Sequence, residues 1–315
     1  MNSSVEISIV IVNWNTKQHV LNCLRSIFET RGVLHLQVVV VDNCSSDGSA
    51  DAIAEQFPEV QIIRASENFG FAKGNNLGLK LVSGRFVALV NSDVILRQNC
   101  LQALQAFMLP LGDVGLCGPR VCWPDGSFQP SCKRTPSLTR KFSHVLGLHR
   151  LGLKSWGFAG YHMDESEHVH GGNIEVLVGC FWFARKEALD EVGGLDERFF
   201  MYGEDDDWCM RFRRAGWRLS YCKDAMAVHV ARASSSKEPE RFKIEQERAV
   251  LQYWEKWRGR TGKWIYLSLI VLNSCTRLAL GVGLFLLFPA DRDFVKASIR
   301  RHWACIRWIS GGAEL

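Results

Sequence analysis

Apolar residues along the chain arrive in short β-branched runs that alternate with stretches of helical spacing. Ile7 to Val12 is one such run, and it stops at Asn13-Trp14-Asn15. In Val20 to Phe28, the residues Leu21, Leu24, Ile27 and Phe28 fall on one helical face. Val38 to Val41 is four valines, the pattern of a strand buried on both faces, and it ends at Asp42-Asn43. Ser45-Ser46-Asp47-Gly48-Ser49 then reads as a turn into a helix over Ala50 to Phe57, with Asp47 or Ser49 as its cap. Val60 to Arg64 is a third strand. The apolar Phe86 to Val90 is a fourth, ending at Asn91-Ser92-Asp93. Between them Asn68 to Gly78, with three glycines and three asparagines, opens a helix. This alternation predicts an α/β fold with a doubly wound, mostly parallel sheet. Such sheets bind ligands at the carboxyl ends of their strands. Asn13, Asp42 and Asp93 all fall at such ends and are expected to meet in one crevice.

The second half is less regular. Cys122 to Gly172 holds prolines, basic residues and histidines with weak periodicity, and reads as a loop-rich insertion over the site. Val176 to Phe183 returns to strand character, and Lys186 to Val192 is a short helix closed by Gly193-Gly194. A helix is predicted from about Asp206, a strand over Trp217 to Tyr221, and His229 a little beyond it. After a polar linker, Phe242 to Trp257 reads as a basic amphipathic helix. The expected organisation is a catalytic domain over residues 1–240 and a helical region over 241–315.

Composition narrows the class. A chain of 315 residues with 47% hydrophobic and 23% charged residues is globular rather than disordered. Its net charge of +5 suits an anionic small substrate or an anionic membrane surface and is too weak for nucleic acid. The 11 cysteines show no repeated CxxC, and Cys117, Cys122 and Cys132 lack a histidine pair at zinc spacing. Reduced thiols in a cytosolic setting are therefore expected. Met1 to Glu6 runs straight into a strand-like segment, so no secretory leader is predicted.

Several motifs occur together. They are Ser8 to Asn15, Val41-Asp-Asn-Cys-Ser-Ser-Asp-Gly48, Asn68 to Gly78, Leu89-Val-Asn-Ser-Asp93, Gly193 to Phe200, Gly203 to Arg211, and His229. In this order the chain resembles family 2 glycosyltransferases of the GT-A fold, especially the bacterial rhamnosyltransferase-like branch. The resemblance spans about residues 5–232. It implies an inverting transferase that takes a sugar from a nucleotide diphosphate donor.

On that resemblance each motif has a job, and each has a plainer reading. A leaving diphosphate needs its charge stabilised, which a divalent cation held at a strand end does. Asp93 is the expected metal ligand, with Asn91 in place of the first aspartate of the family's D-x-D, a departure common in the rhamnosyltransferase-like branch. Otherwise Asn91-Ser92-Asp93 only closes a strand. His229 is the expected second ligand for Mg2+ or Mn2+, or else a histidine that merely satisfies hydrogen bonds. Asp42 is expected to bind the nucleotide's base or ribose, or to form an Asx turn. Asn13 lies beside it in the donor site. Asn68, Gly74 and Asn76 are expected to shape the donor pocket, or to cap a helix. Inversion needs a base for the acceptor hydroxyl, and the family places it in the pair Glu204-Asp205, with Asp205 as the base. Adjacent acids repel, so at least one of Glu204 to Asp207 should titrate high. Asp206 and Asp207 are assigned to the helix start, with Asp207 pairing Arg211. His168 and His170 look like a metal motif but are read as loop or acceptor-side residues.

Trp264 to Phe288 is 25 mostly apolar residues, long enough to span a bilayer. Its fourteen Leu, Ile, Val and Phe residues favour insertion by up to about 7 kcal/mol, against about 3 kcal/mol for the central Arg277. Basic residues flank both ends, which would hold both on the cytosolic side. The expectation is two short helices, hinged near residues 273–277, in the inner leaflet. The alternative is a helical hairpin packed on protein. The favoured activity is transfer of a sugar, first L-rhamnose from dTDP-rhamnose, to a lipid-linked or polysaccharide acceptor in cell-surface glycan synthesis. Another nucleotide sugar or a polyprenyl phosphate acceptor is the enzymatic alternative. A silent nucleotide-sugar-binding component is the non-catalytic one. A dinucleotide oxidoreductase is disfavoured because no GxGxxG follows the first strand.

Overall fold

The computed structural model describes residues 5–145, 161–169, 174–230, 239–287 and 292–311. The elements run β1 (Ile7–Asn13), α1 (Lys17–Thr30), β2 (Leu36–Asp42), α2 (Ser49–Gln56), β3 (Gln61–Arg64), α3 (Gly70–Leu79), β4 (Phe86–Asn91) and β5 (Val94–Leu96). They continue with α4 (Cys100–Met108), β6 (Val114–Cys122), β7 (Cys132–Lys133), α5 (Leu138–Val145), α6 (Glu165–Val169), β8 (Val176–Leu177) and β9 (Phe181–Arg185). The last are α7 (Lys186–Val192), α8 (Glu204–Arg214), β10 (Arg218–His229), α9 (Pro239–Leu287) and α10 (Arg292–Ile309). The described residues divide into two compact units. Residues 5–135, 161–169, 174–200 and 204–230 form the first; 136–145, 201–203, 239–287 and 292–311 form the second.

The first unit is built on an eight-stranded sheet in the order β3-β2-β1-β4-β9-β6-β10-β5. The four strands β3, β2, β1 and β4 are mutually parallel. β9 then runs antiparallel to both its neighbours, and β5 antiparallel to β10, so the sheet is mixed. Alternation along β1 explains its unbroken apolar run. Ile7, Ile9 and Ile11 enter one core under α1, α2 and α4, while Val10 faces a second core with Val87, Leu89, Trp182 and Trp208. Two glycines let α3 lie directly on β1. A Cβ at Gly78 would run into the Val10 side chain, and one at Gly74 would come within 3.0 Å of Val12.

Register then aligns the strand ends. Asn13 pairs with Asp42 across β1 and β2, and Val12 with Asn91 across β1 and β4. Some boundaries differ from the sequence reading. α8 begins at Glu204, two residues early, and β10 runs on through His229 as one twelve-residue strand. α4 and β6 fill a stretch for which no element is predicted from the sequence.

In the second unit α9 is not straight. Gly259 has φ 69° and ψ −171°, outside helical geometry and open to glycine. The chain reverses there, because the Trp254 and Tyr266 rings stack at 5.7 Å and Tyr266 Oη donates to Glu247 Oε2 at 3.5 Å. In a straight helix Glu247 and Tyr266 would lie about 28 Å apart. The hinge is thus at Gly259, not near residues 273–277. There the helix continues without a break, and Asn273 and Ser274 are buried at 6% and 1% exposure. The α9 hairpin closes on a buried charge cluster in which Glu247 pairs with Lys243 at 2.7 Å and Lys141 at 3.4 Å.

Candidate active site

The carboxyl ends of β1, β2 and β4 hold a network of short polar side chains. Asn13, fully buried, donates from Nδ2 to Asp42 Oδ1 at 2.9 Å and to Ser45 Oγ at 3.1 Å. Its Oδ1 accepts from Thr16 Oγ1 at 2.7 Å, and Thr16 lies 2.9 Å from Ser92 Oγ. Asp42 Oδ2 accepts from the Ser45 backbone N–H, three residues on, at 3.0 Å. Asp42 therefore braces its own turn, and each oxygen keeps a lone pair for a further donor. Asn43 and Asn68 tie the end of β2 to the start of α3 through a 2.8 Å bond.

Gly74 and Asn76 turn out to be packing residues. Gly74 makes room for Val12, as above. Asn76 spends its amide on the distant loop before α8, donating to Leu195 O at 2.8 Å and Glu197 Oε1 at 2.9 Å. It also accepts from the Leu195 N–H at 2.8 Å. Both residues thus fix the position of α3 against its neighbours, the helix whose start lies at the strand ends.

β5 pairs antiparallel with β10, placing His229 across from Val94. That brings His229 Nε2 to 3.3 Å from Asp93 Oδ1. The imidazole is fixed from behind, with Nδ1 3.1 Å from Gln129 Oε1. Burial alone would lower the histidine's pKa. The adjacent Cys180 and the Asp93 carboxylate outweigh burial and raise it to about 10. Burial likewise pushes Asp93 up, but His229 more than offsets it and holds the carboxyl below its usual range. Close by in sequence, Asn91 Oδ1 is buried without a hydrogen-bond partner.

This donor set suits a divalent cation. Two ligands in adjacent octahedral positions at about 2.1 Å from a metal are about 3.0 Å apart, near the 3.3 Å between Asp93 and His229. A carboxylate and an imidazole nitrogen that has given up its proton match Mn2+ or Mg2+. Among the described residues no group of three His, Cys, Asp or Glu could hold a metal.

A second cluster sits at the start of α8. Lys133 Nζ, on β7, lies 2.9 Å from Asp205 Oδ2 and 3.1 Å from Asp206 Oδ2. Asp205 Oδ1 accepts from the Asp206 backbone N–H at 2.8 Å. Asp207 is fully buried and pairs with Arg211 at 3.1 Å, the expected helical ion pair. Asp206 is different from expectation. It faces Lys133 with Asp205 and is not simply a helix-start acid. Burial, reinforced by Asp205, raises Glu204 to about 8, and its Oε2 has no partner. Burial also raises Asp206 to about 7, against the opposing pull of Lys133.

Glu204 gives a pH test. Its folded value of about 8 exceeds the ordinary 4.5, so the folded state keeps a proton that the unfolded chain releases. Stability attributable to this group falls as pH rises through that window. Glu204→Gln is expected to raise the unfolding temperature near pH 9 and leave it unchanged near pH 4. An equal change at both would show that buried charge is not the cause.

The two clusters share one strand of chain. Gln129 touches His229 and Lys133 touches Asp205, and four extended residues span about 13 Å. His168 braces this segment, accepting at Nε2 from the Cys132 N–H at 2.9 Å, with Nδ1 2.8 Å from Asp164 O. Both ring nitrogens are engaged inside the protein, so it is a structural histidine. His170 lies outside the described residues. Gln129 and Lys133 were invisible in the sequence, since they sit in the aperiodic insertion and carry no motif. All eleven cysteines are unpaired, and burial pushes Cys23, Cys100, Cys132 and Cys209 far above the usual thiol range, so they are inert.

Known proteins are similar in both sequence and fold. The chain is 28% identical over 217 residues to an N-acetylglucosaminyl-diphospho-decaprenol L-rhamnosyltransferase of Mycobacterium tuberculosis, covering 65% of this chain and 69% of that protein. It is 25% identical over 233 residues to the dTDP-rhamnosyl transferase RfbF of Shigella flexneri, covering 73% and 70%. The solved mannosyltransferase PcManGT of Pyrobaculum calidifontis, in complex with GDP-Man and Mn2+, matches 99% of this chain and 88% of its own at TM-score 0.56 and 16% identity. The fold is thus that of GT-A glycosyltransferases. The family profile for Glycosyl transferase family 2 matches residues 8–193, more than half of the chain, and the protein belongs to that family.

Proposed function

We propose that this glycosyltransferase moves L-rhamnose from dTDP-rhamnose, with inversion, onto a lipid-linked or polysaccharide acceptor in cell-surface glycan synthesis, at the cytoplasmic face of a membrane. The names of the Mycobacterium and Shigella relatives support the sugar, and the decaprenol relative supports a lipid-linked acceptor. The observation that carries the catalytic reading is the strand pairing that sets His229 against Asp93.

Asp93 and His229 would hold the divalent cation, with Asn91 as a neutral contact, and the cation would supply charge stabilisation for the departing diphosphate. Asn13 and Asp42 lie where the nucleoside end of the donor is received, and Asn68 supports that edge through Asn43. Asp205 takes the acceptor hydroxyl's proton as the oxygen attacks the anomeric carbon. Glu204 is the supporting member of the pair, because burial and the adjacent Asp205 favour its protonated form. Its neutral carboxyl limits the negative charge gathered around Asp205.

A panel of nucleotide sugars with Mn2+ or Mg2+, read as nucleoside diphosphate release in the presence of a prenyl-diphosphate-linked saccharide, tests this. Turnover is expected with dTDP-rhamnose. Asp93→Ala is expected to weaken metal-dependent donor binding at least as much as the roughly 10–100-fold cost of losing an outer-shell partner. Turnover with a different donor alone would overturn the sugar. Unchanged donor binding by Asp93→Ala would overturn the metal site.

A further inference from the structure

Between Trp264 and Cys275, α9 buries two polar side chains and leaves large apolar ones in solvent. Its inner side carries Tyr266, Ile270, Asn273 and Ser274, at 3%, 1%, 6% and 1% exposure. Its outer side exposes Trp264 at 64%, Ile265 at 44% and Leu272 at 44%, and Cys275 is exposed as well. At about 100° per residue these four fall within an arc of about 100°. No charged residue interrupts that arc between Trp264 and Cys275. A helix packed only to be soluble would turn Asn273 and Ser274 outward and Trp264 and Leu272 inward.

The neighbouring helix adds exposed basic residues and a second exposed tryptophan. On α10, Lys296, Arg300, Trp303 and Arg307 are all exposed and share one face. Trp303 is 56% exposed. Arg258 and Arg260, either side of the Gly259 turn, are exposed too. Residues 239–311 hold thirteen Lys and Arg against six Asp and Glu, so the positive charge of the chain is concentrated here. Exposed tryptophans beside basic residues suit the boundary between an anionic headgroup layer and its acyl chains. No helix among the described residues is long and apolar enough to cross a membrane.

We infer that the outward arc Trp264–Ile265–Leu272 of α9, with the basic, Trp303-bearing face of α10, is a docking surface for an anionic lipid bilayer, entered to shallow depth without crossing. This deepens the membrane location proposed above and is independent of the sugar, the metal and the base. It replaces a hinged insertion at residues 273–277 with one face of an unbroken helix.

The test is co-sedimentation of the full chain with vesicles of phosphatidylcholine alone or mixed with phosphatidylglycerol. Binding is expected only to the mixed vesicles and should fall as salt rises. The triple variant Arg258→Gln, Arg260→Gln, Arg300→Gln is expected to bind about 100-fold more weakly, at roughly fivefold per basic residue. Trp264→Ser, Ile265→Ser, Leu272→Ser together should also release the protein from vesicles. Because all these residues are exposed, circular dichroism and unfolding temperature should stay unchanged, which separates lost docking from lost folding. No binding of the wild-type chain to mixed vesicles would overturn the proposal. So would a wild-type dimer in sedimentation velocity that the serine variant converts to monomer, since the occupant would then be a second copy. Loss of transfer with vesicle binding intact would count against the catalytic reading alone.

Discussion

Asp205→Asn is expected to cut sugar transfer by about 10²–10⁴-fold while leaving nucleotide-sugar binding unchanged. Asparagine keeps the size of the side chain and can still accept the Asp206 N–H bond now made at 2.8 Å. It loses the charge that pairs with Lys133 at 2.9 Å and the capacity to take up a proton. The acceptor hydroxyl then attacks with its proton in place. The measurement is nucleoside diphosphate release under single-turnover conditions, beside donor affinity by calorimetry. Near-full transfer by the variant would show that another group accepts the proton. Glu204→Gln is the useful companion, because a carboxyl whose protonated form is favoured by burial and by Asp205 should lose far less activity than Asp205.

Lys133→Met is expected to cost about 3–5 kcal/mol of stability near pH 8. Its ammonium is the counter-charge between two buried carboxylates, at 2.9 Å and 3.1 Å. Removing one partner of a buried ion pair strands the other, and two are stranded here. Asp206, already raised to about 7, would be raised further and would titrate neutral over more of the pH range. The sign follows from linkage. Loss of the ammonium penalises the charged form of the acids, so the variant's deficit grows with pH and shrinks as they protonate. Urea unfolding at two pH values checks this. A deficit below about 1 kcal/mol, equal near pH 4 and pH 8, would mean that Lys133 is only a surface cation.

Much of the catalytic half was legible because its signals are local. A run of valines between a helical pattern and an Asp-Asn pair states its own secondary structure and its own end, so Asn13, Asp42 and Asn91 could be placed at strand termini. Asp207 and Arg211 share a helical face whatever lies around them. Other contacts were hidden where a residue's partner is far away in the chain. Asn76 reads like a pocket residue, yet its hydrogen bonds run to Leu195, 119 positions on. Asp206 reads like an ordinary helix-start acid, and only Lys133, 73 positions earlier, recruits it into the acidic cluster.

The C-terminal region divides in the same way. Its apolar length, its central Asn273 and Arg277 and its basic flanks were all evident from the residues. Which of them face outward was not, because that depends on the hairpin at Gly259 and on the packing of α10. Sequence alone therefore determined the glycosyltransferase family, the strand and helix alternation from β1 to β4, and the acids that crowd the start of α8. Tertiary structure decided that His229 meets Asp93, that Gln129 and Lys133 serve the two clusters, and that the helix after Gly259 turns its apolar side outward. The physical reason is range. Periodicity and capping act over a few residues, whereas ion pairs, buried amides and exposed faces are set by contacts between segments that only packing brings together.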